Sequence, residues 1–250
     1  MTKEQWNYFL AFKTEFKQKI TEWQKNCPNL KELQKTAAEA DKVPSYPIEN
    51  SIVYNKALDD FSESSNIKLI VVGDNPGKNE QLSINQRYLV GQAGKIAEGF
   101  FRRNEELQID FRKNVLILNK TPIHTAKTKE LQFLLKNADS SFSSIFEETQ
   151  EWFANKTCEI AKTFDCPIWL VGYGELKSKA LFEKYLETLN KINAKQLLFT
   201  TCSIFVFQHF SMNRFSIDLK AYQQKNLKNK GLKETINALG ILHRKEILGW

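Results

Sequence analysis

The chain contains few cysteines, and their spacing excludes the common metal and redox motifs. Its 250 residues include only Cys27, Cys158, Cys166 and Cys202. No two of them have the C-x-x-C spacing of a zinc ribbon or a thioredoxin-like centre. Cys202 lies in an apolar run and is predicted to be a small buried side chain. We therefore expect a reducing, cytoplasmic environment without disulfide bonds.

Long apolar runs, repeats and linkers are also absent from the sequence. No run approaches the roughly 20 apolar residues of a membrane span, so no membrane partner is expected. Residues 1–5 lead into an amphipathic pattern, and we expect no signal peptide there. Residues 1–250 are predicted to form one domain, with a helical part over residues 1–62 packed on its sheet.

The sequence is basic and rich in aromatic residues. Lysine and arginine number 36 against 29 acidic residues, which gives a formal charge of +7 and a pI of about 9.1. This charge favours a polyanionic partner, although many basic proteins bind no nucleic acid. Hydrophobic residues make up 42% of the chain, which is enough for a large core.

Apolar periodicity predicts alternating helices and strands. Apolar residues recur every three or four positions over residues 4–25, which indicates an amphipathic helix. Four apolar, partly β-branched runs indicate strands over residues 69–72, 115–118, 168–171 and 197–207. Further helices are predicted over residues 30–40, 51–61, 93–107, 143–164 and 175–190, and a basic stretch over residues 220–233 precedes a final short helix.

Strands that alternate with helices imply a parallel sheet. The predicted fold class is therefore α/β, a single three-layer α/β/α domain with a central, mainly parallel four-stranded sheet and N-terminal helices. Folds of this kind bind their ligands at the carboxyl edge of the sheet, where the ends of strands that are distant in sequence meet.

Three predicted strands end in polar residues with useful chemistry. The first ends in Gly73-Asp74-Asn75-Pro76-Gly77, the second in Asn119 and the fourth in Gln208-His209. An Asn or Asp can orient a water, and a second Asn can read the edge of a base. A His can donate to an oxygen on which negative charge develops. The turn is not a P-loop, because Asn79 follows Lys78 where Ser or Thr is required.

These residues, in this order, resemble the uracil-DNA glycosylase superfamily. Its first motif is a strand followed by Gly-x-(Asp/Asn/Ala)-Pro-(Gly/Tyr/Ala), and residues 73–77 fit it with Asn75 at the water-positioning place. Residues 88–94, Tyr-Leu-Val-Gly-Gln-Ala-Gly, resemble Pro-Phe-Val-Gly-x-Ala-Gly of the thermostable iron–sulfur branch. Residues 116–119 resemble the strand whose final Asn recognises uracil, and residues 208–211 resemble the His-Pro-Ser motif.

Four departures from the family pattern bear on the expected chemistry. Phe210 stands where the His-Pro-Ser motif has its proline. Leu89 stands where the iron–sulfur branch has an aromatic ring that stacks on the base, and the neighbouring Tyr88 is the candidate substitute. Asp74 replaces a glutamate of that branch. Ile123 lies near the place of a cluster-binding cysteine, so no cluster, metal or other cofactor is predicted.

The resemblance implies a DNA-repair hydrolase that removes a flipped-out damaged base, above all uracil, in base excision repair. Asn75 would hold the attacking water, Asp74 would act as base or balance the charge of the sugar, and His209 would stabilise the leaving base. Asn119 would pair with uracil but not with cytosine. The other predicted substrate-binding residues are Gly73, Pro76, Gly77, Tyr88 and Leu89.

The resemblance also implies a DNA surface around the histidine. The predicted DNA-binding residues after the fourth strand are Ser211, Met212, Asn213 and Arg214, and the last three would enter the DNA and hold the flipped state. Candidate phosphate contacts are Arg102, Arg103, Lys127, Lys129, Arg214 and residues 220–233. The expected partner is DNA that contains uracil or another damaged base, and the chain is expected to act as a monomer.

The residues leave other interpretations open. The chain could bind nucleic acid without catalysis, remove another base such as hypoxanthine, or hydrolyse free nucleosides. The turn at residues 73–77 could be only a tight turn, and residues 220–233 only a solvated face. His124 and His243 are predicted to lie on the surface.

Overall fold

The computed structural model describes residues 1–194, 203–226 and 231–250. Cys202 and the first part of the predicted fourth strand, residues 197–202, lie outside the described residues, as do residues 227–230 of the basic stretch.

The centre of the molecule is a four-stranded parallel sheet. Its strands are β1 (Leu69–Gly73), β2 (Val115–Asn119), β3 (Ile168–Val171) and β4 (Ile204–Phe207), in the spatial order β2-β1-β3-β4. Every residue of these strands is buried, because helices cover both faces of the sheet. This double burial explains why each strand is a continuous apolar run and not an alternating one.

Eight α-helices surround the sheet in the described part of the chain. They are α1 (Lys3–Asn26), α2 (Leu30–Ala40), α3 (Gln92–Arg103), α4 (Glu130–Asn137), α5 (Ser140–Phe164), α6 (Glu183–Ala194), α7 (Arg214–Lys225) and α8 (Leu232–Leu248). Over the same residues, we find no helix with the length and apolar character needed to cross a lipid bilayer.

Alternate side chains of each strand serve two separate cores. Ile70 and Val72 of β1 pack with α1, α2, α4, α5 and α6 on one face. Leu69 and Val71 pack with α3, α7 and α8 on the other. The result is helices, sheet and helices in three layers. The N-terminal helices α1 and α2 belong to the first of these cores.

The last helix lies very close to the edge strand of the sheet. A Cβ atom placed on Gly240 of α8 would lie 2.6 Å from the Cβ of Phe205 in β4. Only glycine leaves room for this approach, so Gly240 lets α8 cover β4 and the chain just before His209.

The prediction of a helix over residues 51–61 is wrong. Ile52 instead forms an isolated antiparallel bridge with Ile123, and only Lys56–Asp60 form a short 3-10 helix. The side chain of Asn55 explains the break, because its oxygen accepts from the backbone of Ala57 and its Nδ2 donates to the backbone of β2. Such local side-chain bonds compete with helix formation.

Other helix boundaries also differ from the predictions. Helix α3 ends at Arg103 and not at residue 107, because the side chain of Asn104 donates to the carbonyl oxygen of Phe100. Helix α6 begins at Glu183 and not at residue 175. Helices α4 and α7 were not predicted. The C-terminal helix α8 is 17 residues long and not short.

Candidate functional site

The three polar strand ends meet at the carboxyl edge of the sheet and line one cavity of about 690 Å³. Asn75 follows β1, Asn119 ends β2 and His209 follows β4. The loops around residues 77–80, 89–93 and 125–128 complete the walls. We call this the carboxyl-edge cavity.

The amide of Asn75 is held at both ends. Its Nδ2 donates to Oγ1 of Thr125 at 2.8 Å and to the carbonyl oxygen of Ile123 at 3.3 Å. Its Oδ1 accepts from Oγ1 of Thr128 at 2.9 Å. Because a carbonyl oxygen can only accept, the contact with Ile123 fixes which end of the amide is the nitrogen. One lone pair of Oδ1 remains for a water or a substrate hydroxyl.

Asn119 carries a buried donor that lacks a partner. Its side chain is 2% exposed, and Nδ2 makes no hydrogen bond within the described part of the chain. An unsatisfied buried donor costs about 1–3 kcal/mol. A Cβ on Gly73 would lie 2.7 Å from Oδ1 of Asn119, so only glycine lets this amide lie against the neighbouring strand. Since Asn119 lines the carboxyl-edge cavity, a ligand there would supply the missing acceptor.

His209 is a neutral imidazole with its proton on Nε2. The backbone N–H of Ser211 donates to Nδ1 of His209 at 3.1 Å, and Oγ of Ser211 lies 2.8 Å from the same nitrogen. A backbone N–H can only donate, so Nδ1 is the acceptor and the ring proton lies on Nε2. Burial lowers the pKa of His209 from its usual 6.5, while Asp74 opposes this shift and the Lys120 ammonium adds to it.

Asp74 is paired with a lysine that the sequence did not single out. Its Oδ1 lies 2.6 Å from Nζ of Lys120, whose side chain is fully buried. Nζ also donates to the carbonyl oxygen of Val171 at 2.9 Å. A lysine just after a strand is usually exposed, so no local pattern predicts this contact.

Glu80 is a second unexpected acid in the wall of the carboxyl-edge cavity. Its Oε2 accepts from the backbone N–H of Gly77 at 3.2 Å. Burial raises the pKa of Glu80 to about 7, and hydrogen bonds from the backbone of Gly77, Leu89 and Gly91 oppose that shift. The carboxyl therefore joins two loops and changes charge near neutral pH.

His124 and His243 are buried, which corrects the prediction that they lie on the surface. Nδ1 of His124 donates to the carbonyl oxygen of Pro76 at 2.9 Å, and Nε2 accepts from the hydroxyl of Tyr46 at 3.0 Å. Burial lowers the pKa of His124 to about 4, so it stays neutral. Pro76 is thus buried in the support of the turn and does not itself face the cavity.

Tyr88 does not take the place of the stacking aromatic ring. It is fully buried, and its hydroxyl donates to the carbonyl oxygen of Val53 at 2.7 Å, so its ring belongs to the core. Leu89 lines the carboxyl-edge cavity instead and gives an aliphatic wall. Its backbone has a φ of +52°, and a Cβ on Gly94 would overlap its carbonyl oxygen. Gly94 therefore permits the tight turn that presents Leu89.

The segment after His209 reaches the cavity through only two of its four predicted residues. Ser211 and Met212 line the rim, and Met212 is 74% exposed. Met212 and Asn213 both have left-handed backbones, with φ of +52° and +56°. Asn213 and Arg214 are exposed at the start of α7, beyond the cavity lining.

The predicted phosphate contacts fall in two different places. Lys127 lines the carboxyl-edge cavity, with Nζ 2.7 Å from Oδ2 of Asp41, and Lys129 pairs with the same carboxylate. Arg102 and Arg103 end α3, whose first residue lines the cavity. A helix of this length spans about 18 Å, so these two arginines lie towards the opposite edge of the sheet.

Within residues 1–194, 203–226 and 231–250, we find no group of three or more His, Cys, Asp or Glu side chains that could hold a metal ion.

Comparison with known proteins assigns no family. No protein-family model matches this chain, and no curated protein or solved structure is significantly similar to it.

Proposed function

We propose that this protein is a DNA-repair glycosylase that hydrolyses the bond between a flipped-out damaged base, above all uracil, and its deoxyribose. The observation that carries the proposal is the unpaired Nδ2 of Asn119, on the same cavity as Asn75 and His209. Together with the order of the motifs, this convergence supports membership of the uracil-DNA glycosylase superfamily.

Asn119 would select the base. Its Nδ2 would donate to O4 of uracil and its Oδ1 would accept from N3–H, so both ends of the amide would be satisfied. Cytosine presents an acceptor at N3 and a donor at C4, the opposite pattern. It would leave each end unpaired in a buried site, at a cost of about 1–3 kcal/mol per group.

Asn75 and His209 would act on opposite sides of the bond that breaks. A water held by Oδ1 of Asn75 would attack C1′ of the sugar. The new C–O bond would form as the C–N bond breaks, and the electron pair of that bond would leave with the base. Nε2–H of His209 would donate to the base oxygen that gains charge. Asp74 would accept the proton of the water or balance the positive charge of the sugar.

The rim of the carboxyl-edge cavity fits an extruded base. Met212 is a highly exposed apolar side chain beside His209, and inserting it into the stack would compensate for the extruded base. Phe210, which replaces the family's proline, is fully buried against Phe215, with ring centroids 4.9 Å apart. It would anchor the loop that carries His209. We propose the cytoplasm as the compartment, since the sequence spacing of the four cysteines is not that of a disulfide framework.

Base release from oligonucleotides tests this function. The protein is incubated with single-stranded and duplex DNA that carries one uracil, and alkali then cleaves abasic sites. Asn75→Ala and His209→Ala should each lower the rate by about 10²–10³, because each removes an oriented polar group. Asn66→Ala, at an exposed residue just before β1, should leave the rate unchanged. Intact strands at high concentrations of the unmodified protein would contradict the proposal.

One observation favours a second candidate function, nucleic-acid binding without catalysis. Leu89 offers an aliphatic wall where the family stacks an aromatic ring on the base. A panel of oligonucleotides with uracil, hypoxanthine or no lesion, together with free nucleosides, separates the candidates. Salt-dependent binding to every oligonucleotide without release of any base would select the second function.

A further inference from the structure

Lys120 is the most completely buried charged group at the carboxyl edge of the sheet. Its side chain is 0% exposed, and its ammonium lies 2.6 Å from Oδ1 of Asp74. Nζ also donates to the carbonyl oxygens of Val171 at 2.9 Å, and of Gly73 and Gly172 at 3.4 Å each. Burying an ammonium is unfavourable unless such partners compensate for lost water. The arrangement therefore has a specific partner set and is not an incidental surface pair.

These contacts connect three neighbouring strands. Asp74 follows β1, Lys120 follows β2, Val171 ends β3 and Gly172 follows it. A Cβ on Gly172 would lie 2.8 Å from Oδ1 of Asp74, so only glycine allows the carboxylate to approach this closely. The backbone N–H of Gly172 in turn donates to the last residue of β4, two residues before His209.

We propose that Lys120 is a positioning residue of the carboxyl-edge cavity, whose buried ammonium binds Asp74, joins the ends of β1, β2 and β3, and compensates the negative charge beside His209. It does not touch the cavity itself, so it acts through Asp74 and His209. Its importance for base release rests on the proposed function, whereas its effect on His209 does not.

The charge balance around His209 makes this role measurable. The charged or titratable groups that line the cavity with His209 are Asp74, Lys78, Glu80 and Lys127, and Lys120 lies behind Asp74. Of these, Asp74 raises the pKa of His209 and Lys120 lowers it. Removing the ammonium alone would leave the carboxylate uncompensated, so the imidazole would bind a proton more readily.

Histidine titration by NMR tests the proposal without any assay of activity. The chain has only three histidines, and His209→Gln assigns the signal of interest. We expect the titration midpoint of His209 to shift upward in Lys120→Met and downward in Asp74→Asn. Lys120→Met/Asp74→Asn should titrate between these two variants. His124, whose ring is hydrogen-bonded to Pro76 and Tyr46, is the internal control, and its titration midpoint should be the same in all variants.

A second comparison covers the case in which Lys120→Met fails to fold. Asp74→Asn and the double variant differ only in the ammonium, and neither contains an uncompensated buried carboxylate. The midpoint of His209 should be higher in the double variant than in Asp74→Asn. Equal midpoints in these two proteins would overturn the proposal, as would an unmoved midpoint in a folded Lys120→Met.

The pH profile of uracil release connects the role of Lys120 to the reaction. If the unmodified protein releases uracil, titration of His209 should change the rate at a certain pH. In Lys120→Met this pH should be higher, as should the NMR midpoint of His209. A moved midpoint with an unmoved profile would overturn the part of the proposal that concerns the reaction. If the unmodified protein releases no base at all, the proposed function fails, and the NMR comparison still decides the role of Lys120.

Discussion

Two buried asparagines beside the sheet show how differently one residue type can be satisfied. Asn55 uses both ends of its amide, since Nδ2 donates to the carbonyl oxygen of Ile117 at 2.9 Å and Oδ1 accepts from the backbone of Ala57 and Tyr88. Asn119 leaves Nδ2 without a partner in the described residues. The first amide stabilises the fold, whereas the second lowers stability and is available to a ligand.

Replacing each asparagine by leucine should therefore change stability in opposite directions. Asn119→Leu removes an unsatisfied donor, and we expect the free energy of unfolding to rise by about 1 kcal/mol or more. Asn55→Leu leaves the buried backbone groups of Ala57, Tyr88 and Ile117 without their hydrogen-bond partner. We therefore expect the free energy of unfolding to fall by about 1–3 kcal/mol. Urea denaturation followed by circular dichroism measures both. A loss of stability in Asn119→Leu equal to that in Asn55→Leu would show that Nδ2 is satisfied in solution.

Single residues also mark the limit of what the sequence can predict. Asn75, Asn119 and His209 could be selected because each lies at the end of a predictable strand. Lys120, Glu80 and His124 could not, because a charged or polar residue in a polar loop has the same sequence pattern whether it is buried or exposed. The burial of Lys120 and His124 depends on contacts with Asp74 and Pro76, more than 40 positions away.

At the scale of elements, the buried parallel strands and the long helices α1 and α5 were predictable, but several of the other segments were not. The predictions for β1, β2 and β3 match the structure, because a short, continuous run of apolar and β-branched residues is typical of a buried strand. Residues 51–61 carry enough apolar residues for a helix. The bridge between Ile52 and Ile123 and the side chain of Asn55 prevent an α-helix there, and only Lys56–Asp60 form a short 3-10 helix. Tertiary contacts decide such segments, and local propensity does not.

Glu80 joins the turn after β1 to the loop before α3, and this connection should depend on pH. Burial raises the pKa of Glu80 to about 7 from the 4.5 of an unperturbed glutamate. Between these values the folded state binds a proton that the unfolded state has lost. The stabilisation by Glu80 is therefore complete below pH 4.5 and is lost as the pH rises through 7.

Glu80→Gln removes this dependence, because glutamine does not titrate. Relative to the unmodified protein, the variant should gain about 3 kcal/mol of stability between pH 5 and pH 8. Glu49→Gln is the matched control. Hydrogen bonds from Ser83 lower the pKa of Glu49, so the stabilisation by Glu49 is fully present above pH 4.5 and does not change between pH 5 and pH 8. Thermal unfolding at several pH values measures both differences. If the difference in stability between Glu80→Gln and the unmodified protein does not change with pH, water reaches this carboxyl and its pKa is not raised.

At the scale of the whole molecule, the effect of the net charge of +7 on DNA binding depends on where the charged residues lie. Lys127 and Lys129 lie beside the carboxyl-edge cavity and share the carboxylate of Asp41. Lys113 and Lys162 are exposed just before β2 and β3, at the amino edge of the same sheet. In a parallel α/β fold these two edges face opposite directions, so only the first pair can contact DNA bound at the cavity.

The salt dependence of DNA binding should distinguish the two pairs of lysines. Each phosphate contact contributes about 0.7–0.9 to the slope of log K against log salt concentration. Lys127→Gln/Lys129→Gln should therefore reduce the slope by about 1.4–1.8, measured by fluorescence anisotropy with a labelled oligonucleotide. Lys113→Gln/Lys162→Gln removes the same net charge and should leave the slope unchanged. Equal slopes in both variants would mean that DNA binding depends on the net charge of the protein and not on the position of these lysines. That result would contradict the assignment of DNA binding to the carboxyl-edge cavity.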